Sequence, residues 1–157
     1  MTFHASNILI RQARRDDLPA LVAMFAADAL GGHGDTTDPE AFQDYVRAFA
    51  VIEASPYQIL YVADRSGEVV GTFQTMVTTS LNGRGSSSMI IEAVQTRADM
   101  RGQGIGAAMI EFAIAEAKSR GIRLVWLTSN AQRKDAHRFY ERLGLKPSHL
   151  GFTMVLK

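Results

Sequence analysis

The 157 residues carry 17 basic against 16 acidic side chains, a 46% hydrophobic share and no cysteine. Such a length suits one domain, residues 1–157, able to bury about 70% of its unfolded surface. The near-neutral balance gives no field that would advertise nucleic acid or a membrane surface, and the missing thiols exclude a disulfide framework, a thiolate nucleophile and a cysteine-based zinc site. Residues 1–7 lack the basic and apolar regions of a secretory leader, and no run nears the ~20 apolar residues of a membrane span. The expectation is a soluble, cytoplasmic chain.

In chain order, residues 8–11 read as a short strand. Asp16 or Asp17 then caps a helix carrying Leu18, Leu21, Val22, Phe25 and Ala29 at helical spacing, and Gly31-Gly32-His33-Gly34 ends it. Asp38-Pro39 is an N-cap followed by a proline at the first helical position, and Phe42, Tyr45, Val46 and Phe49 continue a second helix. Residues 57–63 and 68–77 are β-rich and joined by Asp64-Arg65-Ser66-Gly67, which predicts an antiparallel hairpin. Residues 81–88 read as a flexible loop and 89–96 as the next strand. A helix over 105–120 carries Ile110, Ala113, Ile114 and Ala117 and stops at Gly121. Residues 123–128 form a short strand. Ala136, Phe139, Tyr140 and Leu143 mark a last helix closed by Gly144, and residues 151–156 supply a final strand. The fold class is α/β: a mixed sheet with helices on its faces, in the order β-α-α-β-β-β-α-β-α-β.

The most informative stretch is Arg101-Gly102-Gln103-Gly104-Ile105-Gly106-Ala107, an arginine and three glycines opening a helix just after a strand. Glycine lets a backbone amide approach a ligand closely and accept positive φ, while the first helical turn offers unpaired N–H groups and the positive end of the helix dipole. Anions, a pyrophosphate above all, belong there. A dinucleotide fingerprint matches Gly102, Gly104 and Ala107 in form, but residues 97–100 separate the turn from its strand and no carboxylate follows at the next strand end. No Gly-Lys-Ser/Thr follows, which rules out a Walker A loop.

These residues resemble the GCN5-related N-acetyltransferase (GNAT) family. Its signature Q/R-x-x-G-x-G/A stands here as Arg101-Gly102-Gln103-Gly104-Ile105-Gly106, and Asn130, Ala136, Phe139-Tyr140, Leu143 and Gly144-Leu145 are similar to its second block, with leucine in place of the usual final phenylalanine. The resemblance implies a GNAT-like acyl-CoA N-acyltransferase fold, with a mostly antiparallel sheet whose parallel strands splay. It also implies an enzyme that moves an acetyl group from acetyl-CoA directly to a primary amine, a small molecule in the preferred reading and a peptide or protein in the alternative. A non-catalytic acyl-CoA-binding module is the competing reading. Relatives are often dimers, which leaves a homodimer open; no metal is called for, and no nucleic acid or membrane partner.

By the same resemblance the amides of Gly102, Gln103, Gly104, Ile105, Gly106 and Ala107, with Arg101, hold the pyrophosphate. Val94 and Thr96 offer backbone hydrogen bonds to the pantetheine arm, and Asn130 contacts the cofactor as well as capping a helix. Glu92, an acidic residue inside an apolar strand and on one face with Ile90 and Val94, takes the place of the general base; a solvated strand residue is the plain alternative. Tyr140 takes that of the general acid, or else is a packed core tyrosine. His137 reads as an exposed helical histidine. Residues 33–40 and 81–88 are the acceptor region, where Asp35, Asp38 and Glu40 either attract a cationic amine or serve as caps and loop charges.

Overall fold

The computed structural model describes residues 7–31 and 33–156; residues 1–6, Lys157 and Gly32 of the expected helix stop lie outside the described residues. Strands β1 (Ile8–Gln12), β2 (Gln58–Arg65), β3 (Glu68–Thr79), β4 (Ser87–Thr96) and β5 (Leu124–Trp126) form one sheet in the order β1-β2-β3-β4-β5. The first three pairings are antiparallel and the last, β4 with β5, is parallel. The expected hairpin is present: Ser66 and Gly67 both have positive φ, and the Gly67 N–H donates to Asp64 Oδ1 at 2.7 Å.

Period-two alternation splits the strand side chains between two helical layers. Ile8, Ile10, Tyr61, Phe73, Met89 and Ile91 face α4 (Ile105–Ser119), packing on Ile105, Met109, Ile110, Phe112 and Ala113. On the opposite face Val62 and Val69 meet Leu18, Leu21 and Met24 of α1 (Leu18–Ala26) and Phe49 of α2 (Phe42–Ala54). Tyr61 stacks on Phe73 with ring centroids 4.9 Å apart, and Phe112 meets the Tyr61 ring edge-on. Gly71 of β3 lets α4 come this close: a Cβ there would meet Met109 Sδ at 3.0 Å and Ile105 Cγ2 at 3.2 Å.

The N-terminal corner differs from the expectation. α1 ends at Ala26, before Ala29, and is preceded by a 3₁₀ turn, Arg15–Asp17. Asp17 occupies the N-cap position of α1, as expected, but its side chain makes no cap hydrogen bond to that helix. Its buried carboxylate accepts from Arg11 Nη1 and Nη2 at 2.8 and 2.9 Å and from the Arg14 N–H at 2.7 Å, while Arg11 Nε donates to Asp64 at 3.1 Å. This network ties β1, the turn and the β2–β3 hairpin together. Asp38 does act as a cap, accepting from the Glu40 N–H at 3.0 Å ahead of α2.

Two further expectations are corrected. Within residues 81–88 the chain forms an irregular turn, α3 (Asn82–Gly85), with Gly83 and Arg84 left-handed, and Ser87 and Ser88 already belong to β4. Residues 151–156 form no strand: they pair with no strand among the described residues, and Phe152, Met154, Val155 and Leu156 stand exposed. The periodicity there is genuine, but β-prone residues become a strand only when a partner edge supplies the hydrogen bonds. α5 (Lys134–Arg142) packs Phe139 and Tyr140 against the α4-side core as its spacing predicts.

Burial by itself would raise the Asp17 carboxyl, but the hydrogen bonds from Arg11 and the Arg14 N–H outweigh it and hold the group below its ordinary range. A depressed carboxyl stabilises the fold above its unfolded pKa, and that stabilisation fades as pH falls through the folded value. Asp17→Asn leaves the Arg11 charge half-satisfied, so urea unfolding at pH 7 should show a loss of about 3 kcal/mol. The gap between variant and wild type should narrow below about pH 4.

Candidate active site

Strands β4 and β5 pair over three residues only, Ser88 to Ile90 against Leu124 to Trp126. From Ile91 to Thr96, β4 keeps β3 on one edge and, among the described residues, has no strand on the other. A β-bulge bends it away. Gln74 pairs with Glu92 but Thr72 pairs with Gln95, so β4 carries an extra residue, and Ala93 takes the left-handed value φ 51°. A bulge bends and over-twists its strand. Beyond it, the Arg97 N–H donates to Val70 O at 2.8 Å and Gln95 Nε2 donates to Met24 O of α1 at 3.0 Å, which holds the far half of β4 on the β3 and α1 side. β4 and β5 therefore open as a wedge.

The bulge also changes which side chains share a face. Glu92 stands exposed opposite Gln74, on the α1–α2 side. Val94 packs against the α4-side core with Ile91, so Glu92 and Val94 lie on opposite faces, contrary to simple alternation. Val94 and Thr96 lie on the β4 segment that has no β5 partner, where backbone groups are open to a ligand.

The end of β4 leads through a 3₁₀ turn, Ala98–Met100, into the glycine loop and α4. Gly102 and Gly104 have φ of 76° and 82°, values that favour glycine, and open space surrounds both. Gly104 caps α4 and accepts its first helical bond from Ala108 N at 3.0 Å. The N–H groups of Ile105, Gly106 and Ala107 therefore have no helical acceptor, and they sit at the positive end of a 15-residue helix. Gly106 is glycine for another reason: a Cβ there would come within 3.2 Å of Phe139 Cζ, so its small size seats α5 against α4. Arg101 is exposed and enters no ion pair among the described residues. Gln103 accepts from Arg65 Nη1 at 2.8 Å, which ties the hairpin end to the loop. Sequence reasoning misses Arg65, since nothing local says that the hairpin tip meets the glycine loop; its Nε is buried without a partner among the described residues.

Tyr140 is half-buried on α5, tilted on Phe139 at a centroid separation of 5.2 Å. Burial raises its phenol above the ordinary value of 10, so it stays protonated through mildly alkaline pH. Asn130 does not cap α5, whose cap position is Arg133; its Oδ1 accepts from the Gln132 N–H at 2.9 Å in a tight turn, leaving its amide nitrogen unengaged among the described residues. His137 is not the exposed helical residue expected. It is half-buried, and its Nε2 pairs with the Asn130 carbonyl at 2.8 Å, fixing the β5–α5 connection. Arg133 bonds both carboxylate oxygens of Asp28 and so ties α5 to the end of α1.

The acidic residues expected near the acceptor are mostly engaged locally. Asp35 accepts from Tyr45 Oη at 2.8 Å and Asp38 caps the α2 entry, which leaves Glu40 without a side-chain partner among the described residues. An open cavity of about 340 Å³, lined by Ser80, Asn82, Ser86, Ser88 and Arg123, lies at the closed end of the wedge. It is roughly 13 Å along β4 from Glu92, at 3.3 Å per residue, and so is separate from the glycine loop. Among the described residues no cluster of three His, Cys, Asp or Glu could hold a metal, and no helix is long and apolar enough to cross a membrane.

The site thus combines a helix N-terminus with free amides, a left-handed glycine loop and a parallel strand pair that separates after three residues. A model of the acetyltransferase (GNAT) family matches residues 18–145, and the chain belongs to that family. It is thus an acetyl-CoA-dependent acyltransferase that acts on an amine. The aminoalkylphosphonate N-acetyltransferase of Salmonella typhimurium is 39% identical over 119 residues, which span 76% of this chain and 75% of that one. A solved structure from Bacillus halodurans C-125, described as a transcriptional regulator, is 42% identical, covers 95% of this chain and 99% of its own, and superposes with a TM-score of 0.91. Glucosamine-6-phosphate N-acetyltransferase from Arabidopsis thaliana, 19% identical with coverage of 96% and 99%, shares the fold with a TM-score of 0.76.

The bulge can be tested without any ligand. Ala93→Gly should be neutral or slightly stabilising, while the β-branched Ala93→Val should cost about 1–2 kcal/mol in thermal unfolding, because only the bulge demands a left-handed residue there.

Proposed function

We propose that the wedge between β4 and β5 takes acetyl-CoA, pyrophosphate at the glycine loop and thioester beside Glu92, and that the acceptor is the primary amine of a small molecule. One observation carries this reading: the free amides of Ile105, Gly106 and Ala107 open the helix that follows β4 through one 3₁₀ turn and the glycine loop, and β4 has no β5 partner at Val94 and Thr96. A diphosphate anion suits those amides and the Gly102 and Gln103 backbone, with the exposed guanidinium of Arg101 at hand. Asn130 would meet the cofactor from the β5 side. The group supplies an activated acetyl thioester when bound.

Glu92, exposed on the α1–α2 side, is the base. Directly or through one water, its carboxylate takes the proton from the acceptor ammonium, so that the neutral nitrogen forms the C–N bond as the C–S bond breaks. Tyr140 is the acid. Its phenol, held above its ordinary value by burial, donates to the departing sulfur, and the phenolate left behind takes up the second proton, which the nitrogen sheds as the amide forms. With no cysteine in the chain, the acetyl group passes directly to the amine.

The relative from Salmonella is named for an aminoalkylphosphonate, and this supports a short amine as acceptor. The balance of 17 basic and 16 acidic residues supports a small molecule over nucleic acid. A cytoplasmic chain of one domain completes the reading. An acetyl-CoA assay by thiol release across aminoalkylphosphonates, aminosugars and peptide N-termini tests it: turnover confined to peptides would overturn the acceptor, and binding without any turnover would overturn the enzyme's proposed chemistry.

Tyr140→Phe should lower kcat about 10²-fold with little change in the KM for acetyl-CoA. Glu92→Gln should lower kcat/KM by a similar factor of about 10² at pH 7, and the deficit should shrink as pH rises and the amine loses its proton unaided. A deficit that stays constant with pH would count against Glu92 as the base.

A further inference from the structure

The glycine loop is lightly held by its own backbone. Residues 101–104 are exposed, and among the described residues no backbone hydrogen bond involves Arg101, Gly102 or Gln103. The Cβ positions of Gly102 and Gly104 face open space, so no packing fixes their positive φ. A ligand that had to order such a loop would bind more weakly for it.

The hairpin supplies the missing restraint. Arg65 Nη1 donates to Gln103 Oε1 at 2.8 Å and stands 4.0 Å from Met100 Sδ. Gln103 Nε2 donates to the same sulfur at 3.8 Å, and Met100 itself packs against the α4-side core. Across the hairpin turn, Arg65 pairs in register with Glu68, which lies 3.8 Å from Arg97, and Arg97 bonds Asp99 at 2.7 Å. The hairpin tip therefore grips both the glycine loop and the 3₁₀ turn before it. Charge adds a second observation. Arg65 is half-buried, enters no ion pair among the described residues, and keeps its Nε buried without a partner. A guanidinium presents five donors, and leaving one buried and unmet is unfavourable unless an anion near the group compensates its charge. The glycine loop that Arg65 touches is where an anion belongs.

Resting on the assignment of the diphosphate to this loop, we propose that Arg65 is a positioning residue for the cofactor: it holds Gln103, keeps the loop in its anion-ready form before the ligand arrives, and adds positive charge beside it. Arg65 acts through Gln103 and touches no reacting atom, so its influence falls on binding and spares the chemical step. Its place at the end of β2, far in sequence from the loop, lets the hairpin set the affinity of a site built on β4 and α4.

Calorimetric titration with coenzyme A compares the wild type with Arg65→Met, Gln103→Ala and the double variant. Arg65→Met keeps the apolar stem and removes the fork; it should weaken binding about tenfold, with Gln103→Ala weakening it less. The double variant should match Arg65→Met, because both changes break one tie. Arg65→Lys, which keeps the charge, should recover part of the affinity. At saturating acetyl-CoA, Arg65→Met should keep the wild-type kcat while its KM for acetyl-CoA rises. A further readout needs no ligand: NMR order parameters of the Gly102, Gln103 and Gly104 amides should fall in Arg65→Met while those of α4 stay unchanged. Should Arg65→Met fail to fold, Gln103→Ala, at an exposed position, carries the same relaxation test. Unchanged affinity and loop order, losses that add in the double variant, or a lowered kcat at saturation would overturn the proposal; if coenzyme A still shifts the wild-type amides of residues 101–107, the cradle stands without it. Coenzyme A that moves none of those amides in the wild type would overturn the cradle and this inference together.

Discussion

Backbone groups seek partners, and a sheet normally supplies them on both edges of an internal strand. In this chain β4 is internal for three residues and then loses its neighbour, because the bulge at Ala93 turns it towards β3 while β5 runs out after Trp126. The edge that results is a row of donors and acceptors without a strand partner among the described residues. An extended molecule with amide groups of its own can pair with that row as a strand would. The left-handed alanine is the local strain that accompanies the opening.

The anchor at the wide end depends on packing more than on charge. Gly71 lets the N-terminal half of α4 lie against β3, and Gly106 lets Phe139 of α5 lie against α4. Those two close approaches seat α4 between β3 and α5 and so fix where its free amides stand. The Arg11, Asp17 and Asp64 network fixes the hairpin, and the hairpin's Arg65 reaches Gln103 in the glycine loop. These contacts join the glycine loop, the hairpin and β4, with α1 tied in through Gln95 and through the Asp28–Arg133 pair.

The features legible in the residues are those that obey local rules. Helical spacing locates α1, α2, α4 and α5, the turn chemistry of residues 64–67 locates the hairpin, and the loop glycines locate the helix N-terminus with its free amides. The features that escape depend on contacts distant in sequence. Asp17 has the pattern of a cap because caps are local, yet Arg11 holds it across the corner. Glu92 and Val94 share a face at a period of two, and a bulge that no such period reveals separates them. Gly106 belongs by motif to the anion loop, but the ring that requires it arrives from α5. The strand expected at residues 151–156 fails for a related reason: a strand is a property of two edges, and only one of them belongs to the segment. Arg65 carries no signal at all.

Everything assigned to the wedge depends on where the cofactor binds, and backbone NMR of the labelled chain titrated with coenzyme A reads this residue by residue. The largest amide shifts should fall on residues 101–107 and on Ala93 to Thr96, with smaller ones near Asn130. Shifts gathered instead around Ser80 to Ser88 and Arg123, at the closed end of the wedge, would contradict it.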